Sequence, residues 1–489
     1  MLFAGIDIGT GSVKAITVSG NGTVLADFSR PCNTSHPQPG YAEQDAKEIL
    51  DAVLEILKEL AAHMADEKIK AIGFSAAMHG LLAVDDAGQA LTPLLLWSDI
   101  RSIDQCKGIK KNPLAATLYQ DTGTPIHPMS PLCKLAWLRE QRPDIFQQAC
   151  KFISIKEYIF YHLFNEFVVD HSIASATGLF ETRNRKWDPN ALQLAGIDAS
   201  KLSSPVTVTK KFFLKKEIAA ITGMSSETIF VIGASDGALA NLGSGAMDQK
   251  NLAVTIGTSA AVRMVVPSPI EDKSKTLFNY ILDNNRYISG GASNNGGGLI
   301  KKLSSIMGEN EKTFGAFLQE AFSAPVGCDE MVFLPYLTGE RAPVWNAEAT
   351  GILSGIQFRH EKNYLMRALI EGITMNLYAI AEKLFAVHKP DTLIASGGFI
   401  HSDKWVQMLS DIFLLPVIVN TTADASCMGA AMIAADSVNG SENNYEWQAG
   451  VSPEKKFYPS EKDHAVYRKN YETFRKLLHK QEPTSSSSY

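Results

Sequence analysis

Two short segments, one in each half of the chain, run an apolar strand into a Gly-Thr turn. The first is Phe3-Ala4-Gly5-Ile6-Asp7-Ile8-Gly9-Thr10-Gly11-Ser12-Val13-Lys14; the second is Leu252-Ala253-Val254-Thr255-Ile256-Gly257-Thr258-Ser259-Ala260. Small residues at such a turn let backbone N–H groups approach an anion closely. One loop in each half is what a protein needs to grip a polyphosphate between two lobes. Taken alone, each loop reads first as an ordinary β-hairpin turn. Taken together, with Asp7 and Lys14 in place, they read as a phosphate grip.

The first loop also excludes competitors. It lacks the G-x-x-x-x-G-K-[ST] spacing of a P-loop and the third glycine of a dinucleotide fingerprint. A carboxylate such as Asp7 beside a phosphate is repelled unless a divalent cation, directly or through its waters, lies between them. Lys14 and the Ser12 hydroxyl then supply donors on the other side. The pattern predicts a nucleotide bound with Mg2+.

At 489 residues the chain exceeds a single hydrophobic core, so two domains are expected. The boundary is placed near Ala240 to Gln249, giving lobes at 1–245 and 246–482 and a disordered serine-rich tail at 483–489. A formal net charge of −6 argues against nucleic acid or an anionic membrane as main partner. The six cysteines are scattered without C-x-x-C pairs and read as reduced thiols. No signal peptide opens the sequence, and no apolar run reaches the ~20 residues of a membrane span. A soluble, cytoplasmic enzyme is the expectation.

Strands and helices alternate along the chain. Asn21-Gly22 marks a hairpin turn, with Val24 opening the return strand. Ile49, Leu50, Val53, Leu54, Leu57, Leu60 and Ala61 recur at helical spacing. Ile69 to Phe74 reads as a buried strand, and Leu114 to Phe164 as helical, broken by Pro125, Pro128, Pro131 and Pro143. Phe230 to Gly233 is an apolar strand closed by Ala234-Ser235-Asp236-Gly237. Thr392 to Gly398 runs a strand into a diglycine turn, and Trp405 to Leu414 and Ala425 to Ala435 read as helices. The fold class is α/β, with ligands expected at the carboxyl ends of strands.

Asp236 follows an apolar strand among small neighbours, so its carboxylate faces little side-chain bulk. It can accept a hydroxyl proton as that oxygen attacks a γ-phosphate. Capping the following helix is the commoner task for Asp at such a turn. Met78-His79 at another strand end can wall a polyol pocket or be a satisfied core pair. Trp97, Asp99 and Arg101 share one side if that segment is extended. Glu340, Arg341 and Trp345 read as an interlobe salt bridge and packing.

The D-I-G-T-G-S-x-K loop, the A-A-M-H-G turn, W-S-D-x-R, G-A-S-D-G-A, T-I-G-T-S, G-E-R-A-P-V-W and the late S-G-G turn occur in order. Together they resemble the FGGY carbohydrate kinases over nearly the whole chain. The resemblance implies two ribonuclease H-like (actin-like ATPase) lobes, with sugar and MgATP meeting in the interlobe cleft. It makes Asp236 the catalytic base, and Asp7, with Asp236, the metal-associated carboxylates. Thr10, Gly11, Ser12 and Lys14 with Gly257 and Thr258 become the phosphate grips. Gly298, Gly397 and Gly398 fall where the family holds the nucleotide, and Ser402 where some members place Asn against adenine. Met78 and His79 fall where it contacts its sugar.

Three segments, Thr122 to Lys134, Lys151 to Tyr158 and Ser172 to Gly178, resemble the gluconate kinases of that family. The implied reaction is transfer of the ATP γ-phosphate to the terminal hydroxyl of D-gluconate, giving 6-phosphogluconate. A buried substrate carboxylate needs a cation or several donors, and Arg101, His127, Lys134 and Lys156 are the candidates. Gly237 departs from relatives that often place Asn or Gln against the sugar, leaving room for a different substrate head. A xylulose or other pentulose kinase is the alternative. An actin- or chaperone-like clamp fits less well, because it gives the Met-His turn no task. The implied partner is a small-molecule sugar acid, with no nucleic acid and no membrane; a homodimer is compatible with the resemblance.

Overall fold

The computed structural model describes residues 1–63, 68–309, 312–420, 424–440 and 455–481. The serine tail expected to be disordered lies outside them. The first sheet has six strands: β1 (Leu2–Ile8), β2 (Ser12–Ser19), β3 (Val24–Pro31), β4 (Ile69–Ala76), β5 (Lys211–Phe212) and β6 (Ile229–Ser235), in the order β5-β6-β4-β1-β2-β3. The second has seven: β7 (Asn251–Ile256), β8 (Ala260–Val266), β9 (Phe278–Ile281), β10 (Tyr287–Ser293), β11 (Thr392–Ser396), β12 (Val417–Val419) and β13 (Lys456–Phe457), in the order β9-β10-β8-β7-β11-β12-β13.

Both sheets are built around the same unit. β1 turns back on β2 and runs parallel to β4. β7 turns back on β8 and runs parallel to β11. The two Gly-Thr loops are therefore hairpin turns that also sit at the carboxyl ends of parallel strands, where open α/β sheets bind ligands. β1 is buried along most of its length, which suits a central strand packed on both faces.

Seven helices matter to the site: α1 (Ala46–His63), α2 (Pro131–Gln141), α3 (Ile155–Phe164), α4 (Asp236–Gly243), α5 (Gly298–Ile306), α6 (Asp403–Phe413) and α7 (Ala425–Asn439). α1 buries Ile49, Leu50, Val53, Ile56, Leu57 and Leu60, its helical apolar stripe. Pro131 and Pro143 each open a new helix, so the helical stretch breaks just ahead of them as expected. A proline in the first turn gives up an N–H that has no helical partner anyway. Residues 97–98 and 101–102 are turns, so the condition of an extended segment, under which Trp97, Asp99 and Arg101 would share a side, is not met.

α7 belongs to the second half of the sequence but lies on the first sheet. A Cβ added to Gly5 of β1 would sit 1.8 Å from the Cys427 carbonyl oxygen, and one on Gly73 of β4 would sit 2.0 Å from that of Ala430. Gly429 of α7 makes the same close approach to α4, 2.1 Å from the Leu239 carbonyl. These glycines let backbones touch where any side chain would hold them apart. One apolar core consequently runs from Phe3, Val18 and Val231 of the first sheet through Leu239 and Ala430 into the second lobe.

Gly5→Ala should therefore destabilise the protein by about 3 kcal/mol, because a backbone carbonyl cannot rotate away as a side chain can. Gly11→Ala, where an added Cβ meets nothing within 4 Å, should leave the thermal midpoint unchanged. Thermal unfolding of the two variants side by side checks the contrast; equal midpoints would remove the close-approach argument.

Candidate active site

Asp236 is the first residue of α4, directly after β6. Its Oδ1 accepts the Gly237 N–H at 2.6 Å, while Ser235 holds the N-cap position without a side-chain cap, so Asp236 does not serve as the helix cap. Oδ2 takes no hydrogen bond from the described residues. Burial raises the carboxyl above its ordinary range, against the pull of Arg263, the Gly237 N–H, Lys156 and Arg341. Lys156 of α3 braces the strand behind it, donating to Asp170 at 2.8 Å and to the Ile232 and Ala234 carbonyls.

Asp236 lines a cleft of about 200 Å³ whose walls come from both lobes. Met78, His79 and Trp97 contribute from one side, Arg263, Tyr280 and Arg341 from the other. His79 donates from Nδ1 to the Ala176 carbonyl at 2.8 Å. Burial, helped by the charges of Lys134 and Arg341, pushes it down to about 3. The ring is thus neutral, with Nε2 as an acceptor suited to a sugar hydroxyl. A larger cavity of about 590 Å³ lies on the far side of Trp345. It is not lined by Asp236, so the smaller cleft is the candidate site.

The cleft contains two arginines. Arg341 donates to the Ser293 carbonyl at 3.1 Å and lies over the Trp97 ring at 4.7 Å. Burial lowers it only to about 10, so it remains charged. Its neighbour Glu340 is taken by Ser293, Asn294, Asn295 and Asn376, in place of the interlobe salt bridge the sequence suggested. Arg263 of β8 makes no hydrogen bond or ion pair to the described residues. Burial opposes its charge, and Asp236 and Tyr280 support it.

Asp7 sits near the end of β1 and accepts the Ser75 hydroxyl at 2.6 Å. Burial first, and the nearby Asp236 charge second, raise it to about 7. Lys14 reaches across to Asp424 at 2.5 Å. Asp424, just ahead of α7, also raises Asp7 and adds a third carboxylate to this region. Among the described residues no cluster of three or more His, Cys, Asp and Glu is arranged to hold a metal by itself. A buried carboxylate repelled by its neighbours does fit a hydrated divalent cation shared with phosphate oxygens.

The residues expected from sequence to hold phosphates lie in two tight turns. Gly9 N–H to Ser12 O at 3.1 Å closes the first loop, and Gly257 N–H to Ser259 O at 2.9 Å the second. Gly298, at the start of α5, donates to Thr258 O at 3.2 Å. Thr10 accepts the Trp97 indole N–H at 3.2 Å, tying this loop to the cleft wall. Gly11, Gly257, Thr258, Gly298, Gly397 and Gly398 are exposed. Gly397 has φ +97°, and a Cβ there would lie 2.5 Å from the Ile256 carbonyl. Ser402 caps α6, its hydroxyl accepting from Trp405.

Of the four residues proposed from sequence for a substrate carboxylate, Arg101, Lys134 and Lys156 are engaged elsewhere, and burial keeps His127 neutral. Arg101 is held by Asp99 and Glu43 and lies over the Tyr41 ring. Lys134 of α2 donates to the carbonyls of His79, Leu95 and Leu96, and burial brings it to about 7. Lys156 is the brace already described. His127 accepts from Met129 N–H and packs on Trp345, with Nε2 unpartnered among the described residues; burial lowers it well below the usual histidine range. Sequence reasoning missed Arg263 and Asp424. A lone cation inside the apolar run Ala260 to Val266 was the available signal for the first.

The chain matches the description "FGGY family of carbohydrate kinases, N-terminal domain" over residues 2–243 and the corresponding C-terminal domain over residues 252–437. It is 40% identical over 441 residues to the gluconokinase of Bacillus subtilis, a span covering 88% of this chain and 86% of that one. Two solved structures from Lactobacillus acidophilus, a gluconate kinase and a ligand-bound xylulose kinase, each align with a TM-score of 0.93 at 34% identity over 98% of both chains. No described helix is long and apolar enough to cross a membrane.

Proposed function

The chain belongs to the FGGY family of carbohydrate kinases, and from that premise we propose that it phosphorylates D-gluconate on the terminal hydroxyl to give 6-phosphogluconate. The observation that carries this reading is the pair of arginines, Arg263 and Arg341, lining the same cleft as Asp236. Two guanidinium groups in a confined site suit an acceptor with a carboxylate; with a neutral sugar, Arg263 would have only the electrostatic support of Asp236 and Tyr280, and Arg341 chiefly that of Glu340. The 40% identity to a gluconokinase supports it.

In this mechanism Asp236 accepts the proton of the attacking hydroxyl, and its burial keeps it more basic than an ordinary carboxylate. His79 Nε2 accepts from a second hydroxyl and orients the chain of the sugar. The backbone donors of the Thr10–Ser12 and Gly257–Thr258 loops hold phosphate oxygens, and Gly298, Gly397 and Gly398 leave the nucleotide room. Asp7, oriented by Ser75, would hold Mg2+ through its waters, and the cation would supply charge neutralisation to the polyphosphate. Closure of the two lobes excludes water and limits futile ATP hydrolysis.

A pentulose acceptor is the second reading, supported by the equal likeness to a ligand-bound xylulose kinase. Initial rates of ADP release with MgATP across gluconate, xylulose, ribulose, glycerol and a no-sugar control separate the two. A gluconate kcat/KM at least about 100-fold above that for any neutral sugar is expected, the scale of one charge-assisted contact. Preference for xylulose would overturn the gluconate assignment.

A further inference from the structure

We propose that Arg263 grips the substrate carboxylate and that Gly237 is the residue that makes room for it, so that this pair selects a sugar acid over a neutral sugar. The inference rests on the gluconate reading above and adds to it the residues that read the charge.

Gly237 follows Asp236 at the start of α4, and a Cβ built on it would lie 3.1 Å from Arg263 Nε and 3.4 Å from its Cζ. The same Cβ would be 3.2 Å from the Met78 methyl. A longer side chain at position 237 would therefore compete for the space the guanidinium fills. On its own strand, Arg263 is paired with Gly290 of β10, and a Cβ on Gly290 would come within 3.0 Å of the Arg263 Cα. Small residues thus flank the arginine on two sides.

The two cleft arginines differ in what they have free. Arg341 is tethered to the Ser293 carbonyl and laid over Trp97. Arg263 has no hydrogen-bond partner among the described residues, so its planar fork can meet a carboxylate through two parallel N–H bonds. Asp236 interacts with it electrostatically but already uses one oxygen on the Gly237 N–H. A partly buried guanidinium with unused donors is costly unless a ligand supplies acceptors.

The test compares gluconate with D-glucitol, which carries CH2OH in place of the carboxylate, on the full chain with MgATP. Arg263→Met should raise the gluconate KM about 100-fold, the loss of a charge-assisted pair. Inhibition of gluconate turnover by glucitol should change less than about threefold, because that ligand never used the charge. Arg263→Lys should recover part of the loss, keeping the charge without the fork. Gly237→Asn should mimic Arg263→Met by displacing the guanidinium, and it carries the test should Arg263→Met fail to fold. An unchanged gluconate KM in active, folded variants would overturn the inference, as would an equal loss for gluconate and glucitol. A wild-type chain that turns over no sugar acid would instead sink the gluconate reading itself.

Discussion

Asp236→Asn is expected to lower kcat by about 10³- to 10⁴-fold, the upper range for loss of a positioned general base. The amide is isosteric, and its oxygen can still accept the Gly237 N–H that Asp236 receives at 2.6 Å, so α4 should start where it does now. Gluconate and ATP should bind within about threefold of wild type, because the loss falls on the transition state rather than on uniform binding. The pH profile sharpens the test. Burial raises the Asp236 carboxyl, so activity of the wild type should fall as pH drops and the group takes up its proton. The Asn variant should lose that acid limb. Retention of more than about one tenth of the wild-type kcat would remove Asp236 as the base.

The second large effect concerns Asp7, and its two consequences have opposite signs. Asp7→Asn should reduce turnover by about 10²-fold or more at low Mg2+, with partial recovery as Mg2+ rises, if the carboxylate helps hold the cation. The same substitution should stabilise the ligand-free protein at alkaline pH. Burial and the Asp236 charge raise Asp7 to about 7 from an ordinary 3.8. A raised acid is favoured in the fold while protonated, so its contribution is intact below the ordinary value and lost as pH rises through about 7. Above that, the ionised carboxylate costs the fold about 2 kcal/mol, allowing for water that reaches the cleft. Asn keeps the Ser75 hydrogen bond and never ionises. Its thermal midpoint without metal should exceed wild type at pH 8 and match it at pH 4. A midpoint gain equal at both pH values would show that the effect is packing rather than charge; turnover with unchanged Mg2+ dependence would remove the metal role.

The features most legible in the sequence were those carried by local chain chemistry. An apolar strand stopping at small residues marked both loops and Asp236, because that pattern is a property of consecutive residues. The hairpin reading of the loops is what the fold shows, and it is compatible with the phosphate reading. β1 and β7 each turn back through a hairpin, and the same turns stand at the carboxyl ends of parallel strands. The two-lobed fold followed from the ordered motifs.

What stayed hidden depended on partners far along the chain. Arg101, Lys134 and Lys156 look like free cations in sequence, yet their charges are absorbed by Glu43 and Asp99, by the His79, Leu95 and Leu96 carbonyls, and by Asp170. Arg263 shows the reverse: it interrupts an apolar strand and was not singled out in the sequence, while the fold directs it to the cleft. Nothing in either local sequence says that Gly237 faces it. The seat of α7 on Gly5 and Gly73 is equally invisible, since roughly four hundred residues separate the strand from the helix it admits. The segment 97–102 is bent because Asp99 accepts from the Ala42 and Arg101 backbone N–H groups, a long-range closure that no local pattern announces.

The most direct test is to identify the product. Wild-type protein incubated with gluconate and MgATP would be followed by 31P and 13C NMR, with Asp236→Asn run alongside. The account predicts one phosphomonoester on the carbon farthest from an intact carboxylate, formed by the wild type and not by the variant on the same timescale. ATP consumed without that ester, or the ester formed equally by both proteins, would contradict it.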